Sequence, residues 1–438
     1  MTGIPYRLNT ARVLAALFAL AMLASTASAL PLLVDRVPHE SLTVTEEEYE
    51  EEGRAPTEVE LTPAVEAAFP DESYTAGDTA RLVVYNRAKG LTLQVFRIGD
   101  VRTVGNVTME GVAVTRTEAI GSSASRLVHP VRIGEWPSGL YFARLDAADG
   151  RVGFAPFVVR PTRLGGHRVA VVLPTLTWQA YNVRDDDGDG QGDSWYANWK
   201  HRTVRLGRPF LNRGVPSSFR RYDLPFLRWL ARTGRGVDVL AQSDLEASTA
   251  GALAAAYDLI VFPGHHEYVT TREYDAIEGY RNRGGNLVFL SANNFFWQVV
   301  KHGDVMEKTK QWRDLGRPEA SLIGVQYRGN DRGEARGSWL VRRASWLFAG
   351  TGLRPGSAFG EGWGVEIDQT SPESPDGIQV LAEIPDLFGP GFTAQMTYYE
   401  TRADAKVFAA GAFTLAGRAL EPGVPRVLAN LWAHLARP

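Results

Sequence analysis

The sequence predicts an α/β protein in which a Rossmann-like domain with a parallel sheet follows a small β-sandwich of immunoglobulin-like size. From residue 168 onward, continuous apolar runs of the kind buried on both faces of a parallel sheet alternate with helical patterns. From about residue 64 to 161, short segments alternate apolar and polar residues between turn clusters, which is typical of a sandwich. The two patterns meet near His167, so we expect the 438 residues to form at least two folded domains.

The N-terminus is predicted to be a cleaved secretory signal peptide over residues 1–29. Arg7 and Arg12 supply positive charge ahead of the apolar run 13–24, and a small-x-small triplet ends at Ala29. The run is shorter than the roughly 20 apolar residues that a membrane span needs. We therefore expect cleavage after Ala29 and an exported protein that is not embedded in the membrane, with an uncleaved anchor as the alternative. The chain has no cysteine, so disulfides cannot stabilise the exported fold.

An acidic tether is expected over residues 30–62. The runs Glu46–Glu48 and Glu50–Glu52 carry like charges that repel one another and stay solvated. The β-sandwich is expected over 63–162 and shows no definite ligand site. Its predicted strands cover 80–85, 91–96, 140–145 and 152–159.

The α/β domain is expected over residues 165–438. Its predicted strands cover 168–174, 237–240, 258–264, 286–291, 378–382 and 406–409, and its predicted helices cover 224–233, 244–256, 271–283 and 425–436. The formal net charge of −3 gives no support for non-specific nucleic-acid binding, which needs a basic face.

Three polar, aromatic-rich loops follow predicted strands of this domain. The loop after Pro174 leads to Tyr181, the loop after Gly264 begins with two histidines and Glu267, and the loop after Ser291 carries two asparagines. Ligands of open α/β sheets bind beyond the carboxyl ends of the strands. The sequence therefore predicts a ligand site where these loops converge.

The segment His265-His266-Glu267 is the densest group of metal-ligating or acid/base side chains in the chain, which has only eight histidines. Adjacent loop residues point in different directions, so one histidine together with Glu267 is expected to face the site. A carboxylate and an imidazole can bind a transition metal or transfer protons. The alternative is a strand-end cap in which the histidines bond to backbone carbonyls.

A second candidate site is the acidic segment that follows Tyr181. Asp185, Asp187, Asp189 and Asp193 match positions 1, 3, 5 and 9 of a calcium-binding loop, with a glycine at position 6. Position 12 is a tyrosine, so the usual bidentate acid is missing. The spacing predicts a calcium site that would hold the loop carrying Tyr181, with a solvated acidic loop as the alternative. The later segment 360–368 combines glycines, an aromatic residue and acids, and it is interpreted as a turn cluster, with a pocket lining as the alternative.

The order of these motifs resembles a known family. Tyr181 ends a Thr-x-x-Ala-Tyr sequence, Tyr222 precedes a predicted helix, and His265-x-Glu267 follows a strand. This order resembles the C-terminal domain of the large subunit of N,N-dimethylformamidase. The similarity covers roughly residues 165–435 and includes the segments 290–294 and 408–413.

The resemblance implies a mononuclear iron held by two tyrosines and one glutamate, with an open position. It implies Tyr181, Tyr222 and Glu267 as iron ligands, and His265 as the nearby acid/base or orienting group. It also implies a fold similar to class I glutamine amidotransferases, amide hydrolysis, and in that family a small partner subunit that is not visible in this sequence. Phenolate and carboxylate oxygens are hard anionic donors, and an open metal can activate water and an amide carbonyl.

We therefore expect an exported metal-dependent hydrolase that cleaves the carbon–nitrogen bond of a small amide. A serine hydrolase is disfavoured because Ser291 lies outside a Gly-x-Ser-x-Gly sequence. Two alternatives are a non-catalytic exported protein that binds glycan or peptide with a structural calcium loop, and a glycan-active enzyme that uses Glu267. The substrate and the oligomeric state are left open, with a homo-oligomer as one alternative.

Overall fold

The computed structural model describes residues 64–101, 107–197, 200–331 and 335–436. The predicted signal peptide (1–29) and acidic tether (30–62) lie outside these residues.

The N-terminal part of the described chain consists of two antiparallel-rich sheets. Strands β1, β3 and β7 form the first sheet, in the order β1-β3-β7, and the second has the order β2-β9-β8-β4-β5, with β6 also paired to β4. Alternating residues of β3, such as Leu82 and Val84, join Leu93 and Phe157 of the second sheet in one apolar cluster. The strand bounds are β1 (Ala67–Ala68), β2 (Ser73–Tyr74), β3 (Thr79–Val84), β4 (Ala88–Arg97), β5 (Val112–Ala113), β6 (Glu118–Ser123), β7 (Leu127–Arg132), β8 (Gly139–Asp146) and β9 (Val152–Val159).

The rest of the described chain is built on an eleven-stranded sheet with a four-stranded sheet beside it. The long sheet has the order β12-β10-β13-β15-β23-β22-β21-β19-β20-β18, with β24 paired to β20, and the smaller one has the order β11-β17-β16-β14. The strand bounds are β10 (Val169–Val172), β11 (Thr203–Arg205), β12 (Asp238–Leu240), β13 (Leu259–Phe262), β14 (Tyr268–Thr270), β15 (Asn286–Phe289), β16 (Trp297–His302), β17 (Val305–Gln311), β18 (Gln326–Asn330), β19 (Arg336–Val341), β20 (Ala358–Gln369), β21 (Gln379–Ile384), β22 (Ala394–Glu400), β23 (Lys406–Ala409) and β24 (Ala412–Phe413).

The predicted fold class, a Rossmann-like and amidotransferase-like domain with a parallel sheet, is wrong. Strands β12, β10, β13, β15 and β23 are parallel, but β22 runs antiparallel to β23, and the pairs from β22 to β18 are all antiparallel. The protein is β-rich, with mixed and antiparallel sheets in a sandwich-like arrangement. A short connection can join only antiparallel neighbours, since a parallel pair needs a long crossover. The five residues between β22 and β23 impose the reversal.

Helices cover both faces of the long sheet. Their bounds are α1 (Thr175–Ala180), α2 (Leu211–Gly214), α3 (Phe219–Tyr222), α4 (Leu224–Thr233), α5 (Gln242–Glu246), α6 (Ala250–Ala256), α7 (Thr271–Arg281), α8 (Glu319–Ile323) and α9 (Val424–Leu435), with 3-10 turns at Trp312–Leu315 and Trp346–Phe348. The helix predicted over 244–256 is divided, because the Thr249 side chain accepts the Ala252 N–H and starts a new helix. Among the described residues, no helix is long and apolar enough to cross a membrane.

Strand β10 shows why the apolar runs predict its burial. Val169 and Val171 join an apolar cluster that includes residues of α4 and α9, whereas Ala170 and Val172 join a second cluster that includes residues of α7. Successive side chains of a strand point to opposite faces, so both faces must be apolar. Because β10, β13 and β15 are parallel neighbours, their carboxyl ends meet at one edge of the sheet.

Candidate metal-binding active site

Glu267 lies at this edge, in the connection between β13 and β14. Only 4% of Glu267 is exposed. Its backbone N–H donates to the Thr177 hydroxyl of α1 at 3.1 Å, which joins the loop after β13 to the loop after β10. The third loop joins them as well, because Asn294 Oδ1 accepts the backbone N–H of His266 at 3.2 Å. The three loops that the sequence placed at strand ends therefore meet around Glu267.

Two tyrosine hydroxyls donate to the same oxygen of Glu267. Tyr181, at the C-terminus of α1, donates to Glu267 Oε2 at 3.0 Å, and Tyr196 donates to it at 2.7 Å. The rings of Tyr181 and Tyr196 stack with centroids 4.0 Å apart. The Tyr196 and Tyr268 hydroxyl oxygens are 2.5 Å apart. Burial raises the pKa of Glu267, and the hydrogen bonds from Tyr196 and Tyr181 oppose this rise.

The two histidines have different surroundings. His265 Nε2 lies 3.7 Å from Glu267 Oε2 and 3.5 Å from Glu366 Oε2. Burial, followed by the neighbouring His266, lowers the pKa of His265 to about 3, so its imidazole is neutral at neutral pH. His266 points away, with its ring nitrogens 3.1 Å and 3.0 Å from the carbonyl oxygens of Gly264 and Val172. One histidine therefore faces the site and the other is a strand-end cap.

Glu366 is a site residue that the sequence interpretation did not single out, since a pocket lining was only the alternative for its segment. It lies in strand β20, where the pairing with β24 shifts register between Gly364 and Ile367. Val365 has a φ of 73°, a left-handed conformation that is unusual for a β-branched residue. Bulges of this kind redirect side chains beside active sites. The bulge places Glu366 next to His265, although its segment was interpreted as a turn cluster.

A cavity of about 230 Å³ opens beside this cluster. Tyr222, the last residue of α3, lines it together with Tyr181 and His265. The Phe413 ring packs against both the Tyr222 ring, at 5.2 Å, and the His265 ring, at 4.7 Å. The described residues that line the cavity are Pro174, Thr177, Trp178, Tyr181, Ser217, Ser218, Tyr222, Asp223, His265, Asn330, Val365, Glu366 and Phe413.

The donors present fit a hard cation. Neighbouring ligands in an octahedral site at about 2.1 Å from the cation lie about 3 Å apart, and the oxygens of Tyr181 and Glu267 are 3.0 Å apart. Both donors are oxygens that suit hard cations, and His265 adds a nitrogen beside them. Tyr222 lines the cavity together with Tyr181 and His265, whereas Glu267 is not among the described residues that line it.

The acidic loop forms a separate cluster nearer to solvent. One carboxylate oxygen from each of Asp185, Asp187 and Asp193 lies within 4.8 Å of the others, and Asp189 is not in this group. Asp185 accepts the backbone N–H groups of Gly188 and Gly190 at 2.7 Å and 2.9 Å. The loop is oxygen-rich, as a calcium ligand set requires.

Tyr196 connects the acidic loop to the buried cluster. It follows Asp193 by three residues and occupies position 12 of the proposed calcium loop, yet its hydroxyl reaches Glu267. Trp195 donates its indole N–H to the Tyr268 hydroxyl at 3.0 Å. The sequence interpretation treated this tyrosine as a departure from a calcium loop and as part of the aromatic segment 195–199, expected either to stack on a substrate such as a sugar or to pack in the core. That departure was the available signal that the residue has another role.

Comparisons with known proteins agree with the motif order. The family described as N,N-dimethylformamidase beta subunit-like, C-terminal, matches residues 126–422. The N,N-dimethylformamidase beta subunits of an Alcaligenes species and of Paracoccus aminophilus are each 30% identical to this chain over 190 residues, 42% of this chain and 24% of theirs. The chain thus spans about a quarter of the length of these curated relatives.

The similarity of this chain to solved structures is weak. A superoxide reductase (neelaredoxin) from Ignicoccus hospitalis aligns with 28% of this chain and 99% of its own at 12% identity, with a TM-score of 0.16. This likeness is too weak to support a conclusion about fold or function. The family match, by contrast, covers more than half of the residues and confirms the resemblance inferred from the motifs. The chain belongs to the N,N-dimethylformamidase beta subunit-like, C-terminal family.

Proposed function

We propose that the protein hydrolyses the carbon–nitrogen bond of a small amide at an iron site held by Tyr181, Tyr222 and Glu267. The observation that supports this most is the surroundings of the buried Glu267 carboxylate. Its Oε2 accepts a hydrogen bond from the Tyr181 hydroxyl at 3.0 Å and lies 3.7 Å from His265 Nε2. The curated relatives are named as N,N-dimethylformamidase subunits, which favours an amide over other substrates.

The cavity suits a small polar substrate. A cation bound by the two phenols and the carboxylate would polarise an amide carbonyl and lower the pKa of water. Trp178 and Phe413 supply apolar walls, whereas Asn330 and Ser218 offer hydrogen-bonding groups for the amide. A site of this kind fixes orientation with a few polar groups in a mostly closed cavity.

His265 is the proposed proton-transfer group. When water attacks the amide carbonyl carbon, it loses a proton, and the departing amine nitrogen must gain one as the carbon–nitrogen bond breaks. His265 Nε2 accepts the first proton and donates the second. Glu366 lies 3.5 Å from this nitrogen and stabilises the imidazolium that forms in between.

Calcium binding and export are further parts of the proposal. We infer that Asp185, Asp187, Asp189 and Asp193 bind calcium and hold the segment between Tyr181 and Tyr196. Three of these carboxylates lie within 4.8 Å of one another, which supports this inference. Export through a signal peptide that ends at Ala29 remains a proposal from the sequence.

Assays of the full chain test the proposed function. The protein is loaded with ferric iron and incubated with formamide, acetamide and N,N-dimethylformamide, and released amine or ammonia is measured. We expect at least one amide to be hydrolysed, and Glu267→Gln to be inactive. Glu135→Gln is the matched control, since Glu135 is exposed and does not line the cavity. An iron-loaded protein that hydrolyses no amide, alone or with a candidate second subunit, would contradict the proposal.

A further inference from the structure

A second cavity, of about 270 Å³, borders the proposed active site. The two cavities share three lining residues, Tyr222, Val365 and Phe413. A ligand that extends from the active-site cavity past these residues would therefore enter the second one. We call this second cavity the arginine groove, after the residues that line it.

The arginine groove carries an excess of positive charge. Arg220, Arg221, Arg336 and Arg418 line it, and Glu421 is the acidic residue among its described lining residues. The active-site cavity has a different character, since Glu366 lines it and its described lining residues include no arginine or lysine. Such a gradient would orient a ligand that has an anionic end.

The backbone segments that carry the arginines pack closely against neighbouring segments. A Cβ at Gly417 would lie 2.1 Å from the carbonyl oxygen of Arg221, and a Cβ at Gly364 would lie 2.4 Å from the carbonyl oxygen of Ala335. No side chain fits at either distance, so both positions require glycine. The first contact places the segment of Arg221 against Gly417, directly before Arg418. The second places strand β20 against the start of β19, which carries Arg336.

Three of the guanidinium groups differ in how far protein groups compensate their charge. Arg418 donates to Glu421 at 2.8 Å and to the Gly362 carbonyl, and it lies over the Trp363 ring. Arg336 is exposed and donates to the neutral carbonyl of Ala335 at 2.8 Å. Arg221 is exposed, and its guanidinium lies 5.5 Å from the Tyr222 ring centroid.

A guanidinium presents five N–H donors in a planar arrangement that matches a carboxylate. Arg221 and Arg336 both line the groove. The hydrogen bond from Arg336 to the neutral Ala335 carbonyl occupies only part of the donor set of this guanidinium. They are therefore the groups best placed to bind an anion.

We propose that the arginine groove binds a carboxylate carried by the amide substrate, so that an amide with an anionic tail is preferred over a neutral amide. This inference rests on the proposed function. Arg221 and Arg336 bind the carboxylate, while the amide lies in the adjoining cavity between Tyr181 and His265. Repulsion between the carboxylate and Glu366 disfavours the reversed orientation.

Matched substrates test the groove. N-formylglycine, 3-formamidopropanoate and 4-formamidobutanoate are compared with their methyl esters, and kcat/KM is measured at low and high salt. We expect the carboxylate of the best-fitting length to exceed its ester by about 10-fold or more at low salt, because hydrogen bonds between charged groups are strong. High salt should reduce this ratio.

Two double variants make the test specific. In Arg221→Gln/Arg336→Gln, we expect the carboxylate-to-ester ratio to fall to about 3-fold or less. In Arg272→Gln/Arg354→Gln, which removes the same charge from exposed positions outside the groove, the ratio should stay as in the wild type. A ratio near one in the wild type at every length, or a ratio that the groove variant leaves intact, would overturn the proposal.

Binding separates this inference from the proposed function. If no amide is hydrolysed, the proposed function fails, and calorimetric titration with each of the three formamido acids and its methyl ester still reports on the groove. Carboxylate binding that exceeds ester binding and weakens about 10-fold in Arg221→Gln/Arg336→Gln supports the groove. Absent binding, or equal affinity in that variant and the wild type, rejects it.

Discussion

The buried cluster around Glu267 and the acidic loop beside it present oxygen atoms in contrasting ways. Glu267 is 4% exposed, and two phenols donate to one of its oxygens. In the loop, several carboxylates lie close together near solvent, and backbone N–H groups satisfy part of their hydrogen-bonding capacity. Burial and fixed donors favour a defined site for one highly charged cation, whereas an exposed loop suits a weakly held hard cation.

The difference shows how the two sites depend on each other. Tyr196 leaves the acidic loop and donates to Glu267 at 2.7 Å. A cation in the loop would therefore act on the buried cluster through the placement of Tyr196. It would also act through Tyr181, which precedes the loop, and through Trp195, which donates to the Tyr268 hydroxyl. We expect the largest effect on activity from a variant of Glu267, a smaller one from a variant of Tyr196, and a smaller one still from a variant of the acidic loop.

The largest expected effect comes from Glu267→Gln. The amide keeps the size of the side chain but removes the anionic ligand, so we expect iron content to fall sharply and activity to drop by roughly 10³-fold or more. The variant should fold, because it no longer buries a charge. Metal analysis, circular dichroism and the amide assay check this, and a variant that retains full iron and activity would contradict the assignment of Glu267.

Tyr196→Phe tests the link. It removes the hydrogen bonds to Glu267 and Tyr268 while it keeps the ring stacked on Tyr181. We expect iron affinity or kcat/KM to fall about 10- to 100-fold, as for other residues that orient a ligand. Tyr85→Phe is the control with the same chemical change elsewhere. Equal behaviour of the two variants would show that Tyr196 does not position Glu267.

Asp187→Ala tests the acidic loop. Calcium at about 100 times its Kd should stabilise the wild type by about 2.7 kcal/mol, which corresponds to a Tm increase of several degrees. The variant should lose this increase, because its carboxylate belongs to the group of three, and Asp189→Asn should lose less of it. Thermal melts with calcium and with a chelator decide the matter. Identical melts of the wild type in both conditions would leave the loop as a solvated acidic segment.

The smallest expected effect concerns Asp368 and pH. Burial raises the pKa of Asp368 to about 7, although the Asn293 N–H bonds to its carboxylate. The protonated form is therefore favoured in the folded state, and the stability it contributes is lost as pH rises toward 7. Asp368→Asn should have a Tm close to the wild type at pH 4 and a Tm roughly 2–4 °C higher at pH 8. A constant difference across this range would contradict the raised pKa.

The placement of the site was partly predictable from the sequence. The apolar runs that end at Pro174 and Gly264 indicated buried strands, and strand ends located the loops of Tyr181, His265 and Glu267. The motif order identified the family. The approach of the three loops follows from local pattern and the geometry of parallel neighbours.

The fold class, the position of Glu366 and the arginine groove depend on pairing between segments that are distant in the sequence. Strands β18 to β22 alternate apolar and polar residues only weakly, so their antiparallel pairing, which makes the predicted fold class wrong, was not evident. Glu366 lies on one of these strands beside a bulge. The local mixture of glycines, an aromatic residue and acids suggested a pocket lining only as the alternative to a turn cluster. The arginine groove likewise combines residues from α3, β19 and the turn before α9.

The most direct test of the central claim is the iron content and visible spectrum of the full chain, compared among the wild type, Tyr181→Phe and Tyr222→Phe, with Tyr85→Phe as the control. The account predicts stoichiometric iron with a phenolate-to-iron charge-transfer band in the wild type and the control. Each of the two ligand variants should show a weaker or shifted band. Protein that takes up no iron, or a band that survives unchanged in both ligand variants, would contradict the claim that these tyrosines and Glu267 form a metal site.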